Sequence, residues 1–101
     1  MNILFICNLG KNRSKTAAEL FKRNHATQAA GIYTNLQEEQ LQWADLIIVM
    51  EEHQRENLAQ NYPKYYLTKQ ITNINIPDMY NYNNPELKRL LQERIQPLLQ
   101  P

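Results

Sequence analysis

The chain has 101 residues, and its 11 basic and 10 acidic side chains give a formal net charge of +1. This length predicts a single domain over residues 1–101, and the near-neutral charge argues against a nucleic-acid partner bound through bulk charge. The single cysteine excludes an intramolecular disulfide and a cysteine-based metal cluster, and it is typical of a reducing compartment. We find neither a signal peptide pattern nor a stretch of transmembrane length, so we expect a cytoplasmic protein without a membrane partner.

The first half of the chain alternates strand and helix patterns. A continuous apolar run predicts strand one over Asn2–Ile6, as in a strand covered on both faces. Helix one is predicted at about Ser14–Asn24, and a weaker strand at Gln28–Ala30. Asn35 is expected to cap a short helix that ends near Trp43.

The second half continues the alternation. Asp45–Met50 predicts a buried strand, and a helix over about Glu52–Asn61 should stop before Pro63. Ile71–Ile76 is predicted as the final strand, and Asn84 as the cap of the last helix. We therefore expect an α/β fold with a four-stranded parallel sheet in the order 2-1-3-4, flavodoxin-like, with helices on both faces. In that order a ligand should bind at the loop after strand one.

That loop begins with a cysteine and closes with an arginine and a serine, with five residues between the cysteine and the arginine. A strand, a short loop and a helix start aim backbone N–H groups at an anion and stabilise a thiolate. Cys7 is thus predicted as a nucleophile rather than an ordinary buried cysteine. Arg13 is predicted as a phosphate clamp rather than a surface charge, because a cation at a helix start opposes the helix dipole. The predicted phosphate-binding loop comprises Cys7, Asn8, Leu9, Gly10, Lys11, Asn12, Arg13 and Ser14.

Other loop residues have more than one interpretation. Ser14 can donate to the Cys7 sulfur, cap the helix, or do both. Gly10 is expected to supply a backbone conformation that other residues avoid. Asn8 and Asn12 can brace the loop, adopt left-handed backbone angles, or serve as plain turn residues.

A leaving group released by a thiolate needs a proton, and Asp78 is the predicted general acid. It follows the last strand, at the sheet edge shared with Cys7. The competing interpretation is a turn-forming aspartate after a proline. Glu51 and Glu52, after strand three, are the reserve candidates.

Three tyrosines are candidates for the pocket wall, although aromatic side chains more often pack than bind a ligand. They are Tyr33, Tyr80 and Tyr82. No arrangement of histidines suggests metal ligands, so no metal is expected.

Together these residues resemble the low-molecular-weight protein tyrosine phosphatase family. The likeness rests on three blocks, which are ILFICNLGKNRSKTAAELF (3–21), WADLIIVMEEH (43–53) and IPDMYNYNNPEL (76–87). It implies that Cys7 attacks phosphorus while Asp78 protonates the leaving group, and that a cysteinyl-phosphate is then hydrolysed without metal or cofactor. The implied partner is a phosphorylated substrate, either a phosphotyrosine protein or a small aryl or alkyl phosphate.

The chain also departs from that family. Gly10 and Asn12 stand where the family usually has asparagine and a second cysteine, and Pro77 precedes the acid rather than following it. The stretch between strand two and helix two, which normally builds one wall of the pocket, is shorter.

Three other functions fit parts of the pattern. A phosphate-binding module without turnover would use the same loop but would need no nucleophile. An arsenate reductase would need further cysteines. A phosphocysteine carrier of sugar transport would be disfavoured by Arg13, because clamping the transition state promotes hydrolysis.

Overall fold

Four strands and five helices follow one another along residues 1–100, the part of the chain that the computed structural model describes. In chain order they are β1 Asn2–Cys7, α1 Arg13–Phe21, β2 Ala26–Gly31, α2 Glu38–Trp43, β3 Leu46–Val49, α3 Glu52–Asn61, α4 Pro63–Thr68, β4 Gln70–Asn73 and α5 Pro85–Leu99.

All four strands are parallel and lie in the order β2-β1-β3-β4, which confirms the predicted sheet. Cys7 at the end of β1 pairs with Gly31 at the end of β2, and Ile6 pairs with Val49 at the end of β3. The carboxyl ends of the strands therefore meet at one edge, where α/β sheets bind ligands.

Side chains alternate across β1 and bury both faces of the sheet. Ile3 and Phe5 lie in an apolar cluster with side chains of α1 and α5. Leu4 and Ile6 lie in a second cluster with side chains of α2, α3 and α4. The sheet is thus covered by helices on both faces, as the unbroken apolar run of β1 predicted.

The main differences from the sequence prediction are the start of α2, the presence of α4 and the end of β4. Helix α2 begins at Glu38 with Gln37 as its N-cap, so the predicted cap at Asn35 is wrong. The side-chain oxygen of Asn35 instead accepts a hydrogen bond from the Gly31 N–H at 2.8 Å. Helix α4 was not predicted, and its Pro63 occupies the first turn, where proline is well tolerated.

The third difference is the end of β4, which stops at Asn73 rather than at Ile76. Asn75 adopts a positive φ of 56°, which interrupts the extended backbone. Ile74 and Ile76 are nevertheless buried, and their N–H groups bond the carbonyls of Val49 and Met50. The chain thus continues along the sheet edge and delivers the next residues beside the end of β1.

Asn84 caps α5 as predicted, since its Oδ1 accepts hydrogen bonds from the N–H groups of Glu86 and Leu87. Among the helices of residues 1–100, none combines the length and the apolar character needed to cross a membrane.

Candidate active site

The loop between β1 and α1 lies at the carboxyl edge of the sheet and is anchored to the segment after β2. The Cys7 and Asn8 carbonyls accept hydrogen bonds from the N–H groups of Ile32, at 2.8 Å, and Tyr33, at 3.1 Å. The Thr34 hydroxyl donates to the Leu9 carbonyl at 2.9 Å. These bonds fix the loop before it turns into α1.

Gly10 forms the turn of this loop with a φ of +75°, which confirms the predicted need for glycine. A Cβ at this position would lie 2.7 Å from the backbone nitrogen of Gly31. The turn aims the Gly10 N–H at the Cys7 sulfur, 3.2 Å away.

Cys7 lies at the bottom of the site and is 3% exposed. Its Sγ lies 3.1 Å from the Ser14 Oγ, within hydrogen-bond distance, and either atom can be the donor. Ser14 is not the helix cap, because α1 begins at Arg13 with Asn12 as the N-cap residue. The Gly10 N–H, the Ser14 hydroxyl and the N-terminal end of α1 thus converge near the sulfur.

Arg13 is 1% exposed and is therefore not a surface charge. Its Nη1 lies 3.0 Å from Glu51 Oε2 and donates to the Ile76 carbonyl at 2.7 Å. Its Nη2 lies 3.7 Å from Asp78 Oδ1, beyond hydrogen-bond distance. Because a guanidinium has five N–H donors, these contacts leave the Nε and Nη2 edge of the fork for another anion.

Asp78 lies beside Arg13 on the exposed rim, with a side chain that is 54% exposed. Its Oδ2 accepts a hydrogen bond from Asn8 Nδ2 at 3.4 Å. Of the two reserve acids, Glu51 is held in the ion pair with Arg13. Glu52 bonds Arg55, and the hydrogen bond from Arg55 lowers the pKa of Glu52 below its ordinary value.

Gln54 is a further residue of the site, and sequence reasoning missed it. It is fully buried and donates from Nε2 to Asn8 Oδ1 at 3.0 Å. His53, in the first turn of α3, has its Nε2 2.6 Å from the same oxygen. One feature of the sequence could have indicated both residues: they lie in the first turn of the helix that follows β3, at the edge of the sheet that also holds Cys7.

The three predicted wall tyrosines lie in different environments. Tyr33 is 60% exposed, and its ring lies parallel to that of His53 at 6.2 Å. Tyr80 packs against the apolar cluster of α1 and α5. Tyr82 is exposed and lies under the Lys15 ammonium. A role for any of them as a pocket wall stays a prediction.

A small cavity of about 30 Å³ opens above the loop. It is lined by Cys7, Asn8, Leu9, Lys11, Asn12, Arg13 and Asp78. Its lining joins a thiol, a guanidinium and a carboxylate, the groups needed to bind and transfer a small oxyanion. Within residues 1–100 no cluster of three or more histidine, cysteine or acidic side chains is arranged to hold a metal ion.

Comparisons with known proteins support the same fold. No family model matches the chain, and no curated protein is significantly similar to it. Among solved structures, the tyrosine phosphatase Wzb from Escherichia coli K30, in complex with phosphate, matches with a TM-score of 0.79 at 17% identity, over 96% of this chain and 94% of that one.

Two further structures are similar over comparable lengths. A low-molecular-weight protein tyrosine phosphatase from Bacillus subtilis matches with a TM-score of 0.75 at 18% identity, over 96% of this chain and 98% of that one. The YwlE arginine phosphatase from Geobacillus stearothermophilus matches with a TM-score of 0.73 at 16% identity, over 96% and 92%.

These structures cover nearly all of both chains, and they have the same arrangement of a parallel sheet between helices. The resemblance expected from three sequence blocks is thereby confirmed for the chain as a whole, at the level of its architecture. The chain has the fold of the low-molecular-weight protein tyrosine phosphatases.

Proposed function

We propose that this chain is a cysteine-dependent phosphomonoester hydrolase. The observation that carries the proposal is the convergence of three groups on one small cavity. The Cys7 sulfur lies at its base with two donors, the buried Arg13 guanidinium lies at its side, and Asp78 lies on its rim. A binding site for phosphate would need the guanidinium and the backbone N–H groups but not the thiol.

In the first step the Cys7 thiolate attacks phosphorus, so that a P–S bond forms as the P–O bond to the leaving group breaks. Asp78 gives its proton to the departing oxygen. The free edge of the Arg13 fork binds two phosphoryl oxygens and stays bound to them in the transition state. Glu51 and the Ile76 carbonyl hold the other side of the guanidinium and so fix its orientation.

In the second step water attacks phosphorus and gives a proton to the Asp78 carboxylate. The P–S bond breaks and inorganic phosphate leaves. The Ser14 hydroxyl, 3.1 Å from the sulfur, donates a hydrogen bond to the thiolate as it is released. No atom changes oxidation state in these steps, and the proton that Asp78 gives up in the first step is regained in the second.

For the substrate we propose an aryl phosphate, with protein phosphotyrosine as the foremost case. The support is an aromatic platform beside the cavity, formed by Tyr33 stacked on His53. Asn8, which lines the cavity, contacts both residues, because its carbonyl accepts from the Tyr33 N–H and its side-chain oxygen lies next to the His53 ring. Because similar structures include an arginine phosphatase, phosphoarginine is the substrate to compare with phosphotyrosine.

The test is hydrolysis of matched phosphotyrosine, phosphoarginine and phosphoserine peptides, with Cys7→Ser as the control variant. We expect turnover of phosphotyrosine by the native chain and none by Cys7→Ser, which should still bind phosphate or vanadate. Equal turnover by the variant would refute the cysteine mechanism. A native chain that binds phosphate but hydrolyses none of the peptides would indicate a phosphate-binding module instead.

A further inference from the structure

The side-chain amide of Asn8 links three separate segments of the chain. Its Oδ1 lies 2.6 Å from His53 Nε2 and accepts from Gln54 Nε2 at 3.0 Å. Its Nδ2 donates to Asp78 Oδ2 at 3.4 Å. A residue of the phosphate-binding loop thus connects the start of α3 to the segment that carries the proposed acid.

The orientation of this amide is set by Gln54. The Gln54 side chain is fully buried, and its Oε1 accepts from the backbone N–H groups of Met50, at 2.8 Å, and Glu51, at 3.0 Å. With Oε1 bound to two donors, the Nε2 of Gln54 must face Asn8. The Asn8 oxygen therefore faces α3, and its NH₂ group faces Asp78.

We propose that Asn8 is a positioning residue for the general acid and selects which oxygen of Asp78 carries the proton. An NH₂ group only donates, so Oδ2 must act as an acceptor. In the protonated acid Oδ2 is then the carbonyl oxygen and Oδ1 carries the hydrogen. Oδ1 is the oxygen that faces Arg13, on the side where phosphate would bind. This inference rests on the proposed function.

Asp78 needs such a partner because little else restrains it. Its side chain is half exposed, and residues 74–84 between β4 and α5 form no helix or strand. A misplaced reacting group can cost on the order of a hundredfold in rate even when it is present. One hydrogen bond from a braced amide therefore has a large effect on proton transfer.

The test uses a series of phosphate esters from good to poor leaving groups, measured for the native chain, Asn8→Asp, Asn8→Ala and Asp78→Asn. Asn8→Asp keeps an acceptor for His53 and Gln54 but loses the donor to Asp78. We expect both Asn8 variants to lose roughly tenfold or more of kcat on poor leaving groups relative to good ones, the pattern expected for Asp78→Asn. In the double variant Asn8→Ala with Asp78→Asn, the loss of kcat on poor relative to good leaving groups should be no larger than in Asp78→Asn alone.

Asn12→Ala is the matched control, since Asn12 lies in the same loop but bonds the Tyr82 N–H rather than Asp78. It should lower kcat to the same degree for esters with good and with poor leaving groups.

A second measurement does not depend on activity. In NMR spectra the side-chain amide signals of Asn8 should shift in Asp78→Ala and stay unchanged in Glu56→Gln, a surface variant.

Two results separate this inference from the proposed function. Suppose that Asp78→Asn loses activity selectively on esters with poor leaving groups and the Asn8 variants do not. Asn8 then has no positioning role, while the hydrolase mechanism stands. If the folded native chain hydrolyses no ester in the series, both proposals are wrong.

Discussion

Arg13, the side chain proposed to bind the phosphoryl group, is held in place by its buried surroundings. A buried guanidinium without a partner is very unfavourable, so its position requires a nearby carboxylate. Glu51 supplies one at 3.0 Å and leaves the second edge of the fork open. The fork, and not the charge alone, should therefore matter for catalysis.

Arg13→Lys keeps the positive charge but cannot bind two phosphoryl oxygens at once. We expect kcat/KM for an aryl phosphate to fall about 10²- to 10³-fold, the range seen when one donor to a transition-state oxygen is removed. The exposed Arg23, substituted in the same way, is the control and should keep native kinetics. Near-native turnover by Arg13→Lys would show that Arg13 does not bind the substrate.

The variant Glu51→Gln tests whether Glu51 orients Arg13 or donates the proton to the leaving group. If Glu51 only holds Arg13, the variant should lose activity to the same degree for good and poor leaving groups. The readout is the dependence of kcat on the pKa of the leaving group, which should keep its native slope. A steeper slope for Glu51→Gln, with a native slope for Asp78→Asn, would make Glu51 the general acid.

The sequence predicted that Cys7, Arg13 and Asp78 lie close together, but it missed Gln54 and did not show how the side chains of the site pair. Cys7 and Arg13 follow from a local motif, and the shared sheet edge brings Asp78 near them. The contacts of Asn8 with Gln54 and of Arg13 with Glu51 join residues far apart in sequence. They depend on strand register and rotamers, which composition and periodicity do not specify.

At the scale of elements, the loop between β1 and α1 depends on close contact with the end of β2. A Cβ at Gly10 would lie 2.7 Å from the Gly31 nitrogen, and a Cβ at Gly31 would overlap the Leu9 backbone and the Thr34 side chain, so neither position has room for one. The geometry of the Gly10 N–H toward Cys7 is therefore set by a strand on the sheet edge as well as by the loop itself.

Gly10→Ala should disturb the loop more than the fold. The new Cβ would meet backbone at 2.7 Å, and alanine is strained at a φ of +75°. We expect phosphate affinity and kcat to fall at least tenfold, with a loss of about 1–3 kcal/mol in unfolding free energy. Binding of vanadate and urea denaturation would measure the two effects. Unchanged binding would mean that the loop tolerates this residue.

Helices and strands with a strong local sequence signal were predicted well. Those whose presence or length depends on other parts of the chain were not. The cap at Asn84 and the helix Glu52–Asn61 follow from residue pattern alone. Helix α4 was missed because Pro63 was interpreted only as the end of α3, although a proline also fits a helix start. The length of β4 depends on the backbone of Asn75, which the alternating isoleucines did not indicate.

For the whole molecule, the buried sheet positions the site. Ile48 in β3 is fully buried in the apolar cluster shared with Cys7 and α5. Removing its side chain leaves a cavity that close-packed neighbours fill only in part.

Ile48→Ala should lower the unfolding free energy by about 2–5 kcal/mol, a large share of the total for a domain of this size. Urea denaturation should show a lower midpoint with an unchanged slope. Leu67→Ala is the control, because Leu67 is 80% exposed and its loss should change stability by less than about 0.5 kcal/mol. Equal midpoints for the two variants would contradict the packing described above.

The surroundings of the Cys7 sulfur also bear on its oxidation. As the proposed thiolate nucleophile, Cys7 should be sensitive to peroxide, which converts such a sulfur to a sulfenic acid. The chain contains no other cysteine that could reduce this state from within. Recovery therefore needs two equivalents of an external thiol such as glutathione. The first condenses with the sulfenic acid to a mixed disulfide and water, and the second releases the Cys7 thiol by exchange. Peroxide treatment should therefore inactivate the protein reversibly while glutathione is present and permanently without it, as the sulfur advances to sulfinic acid.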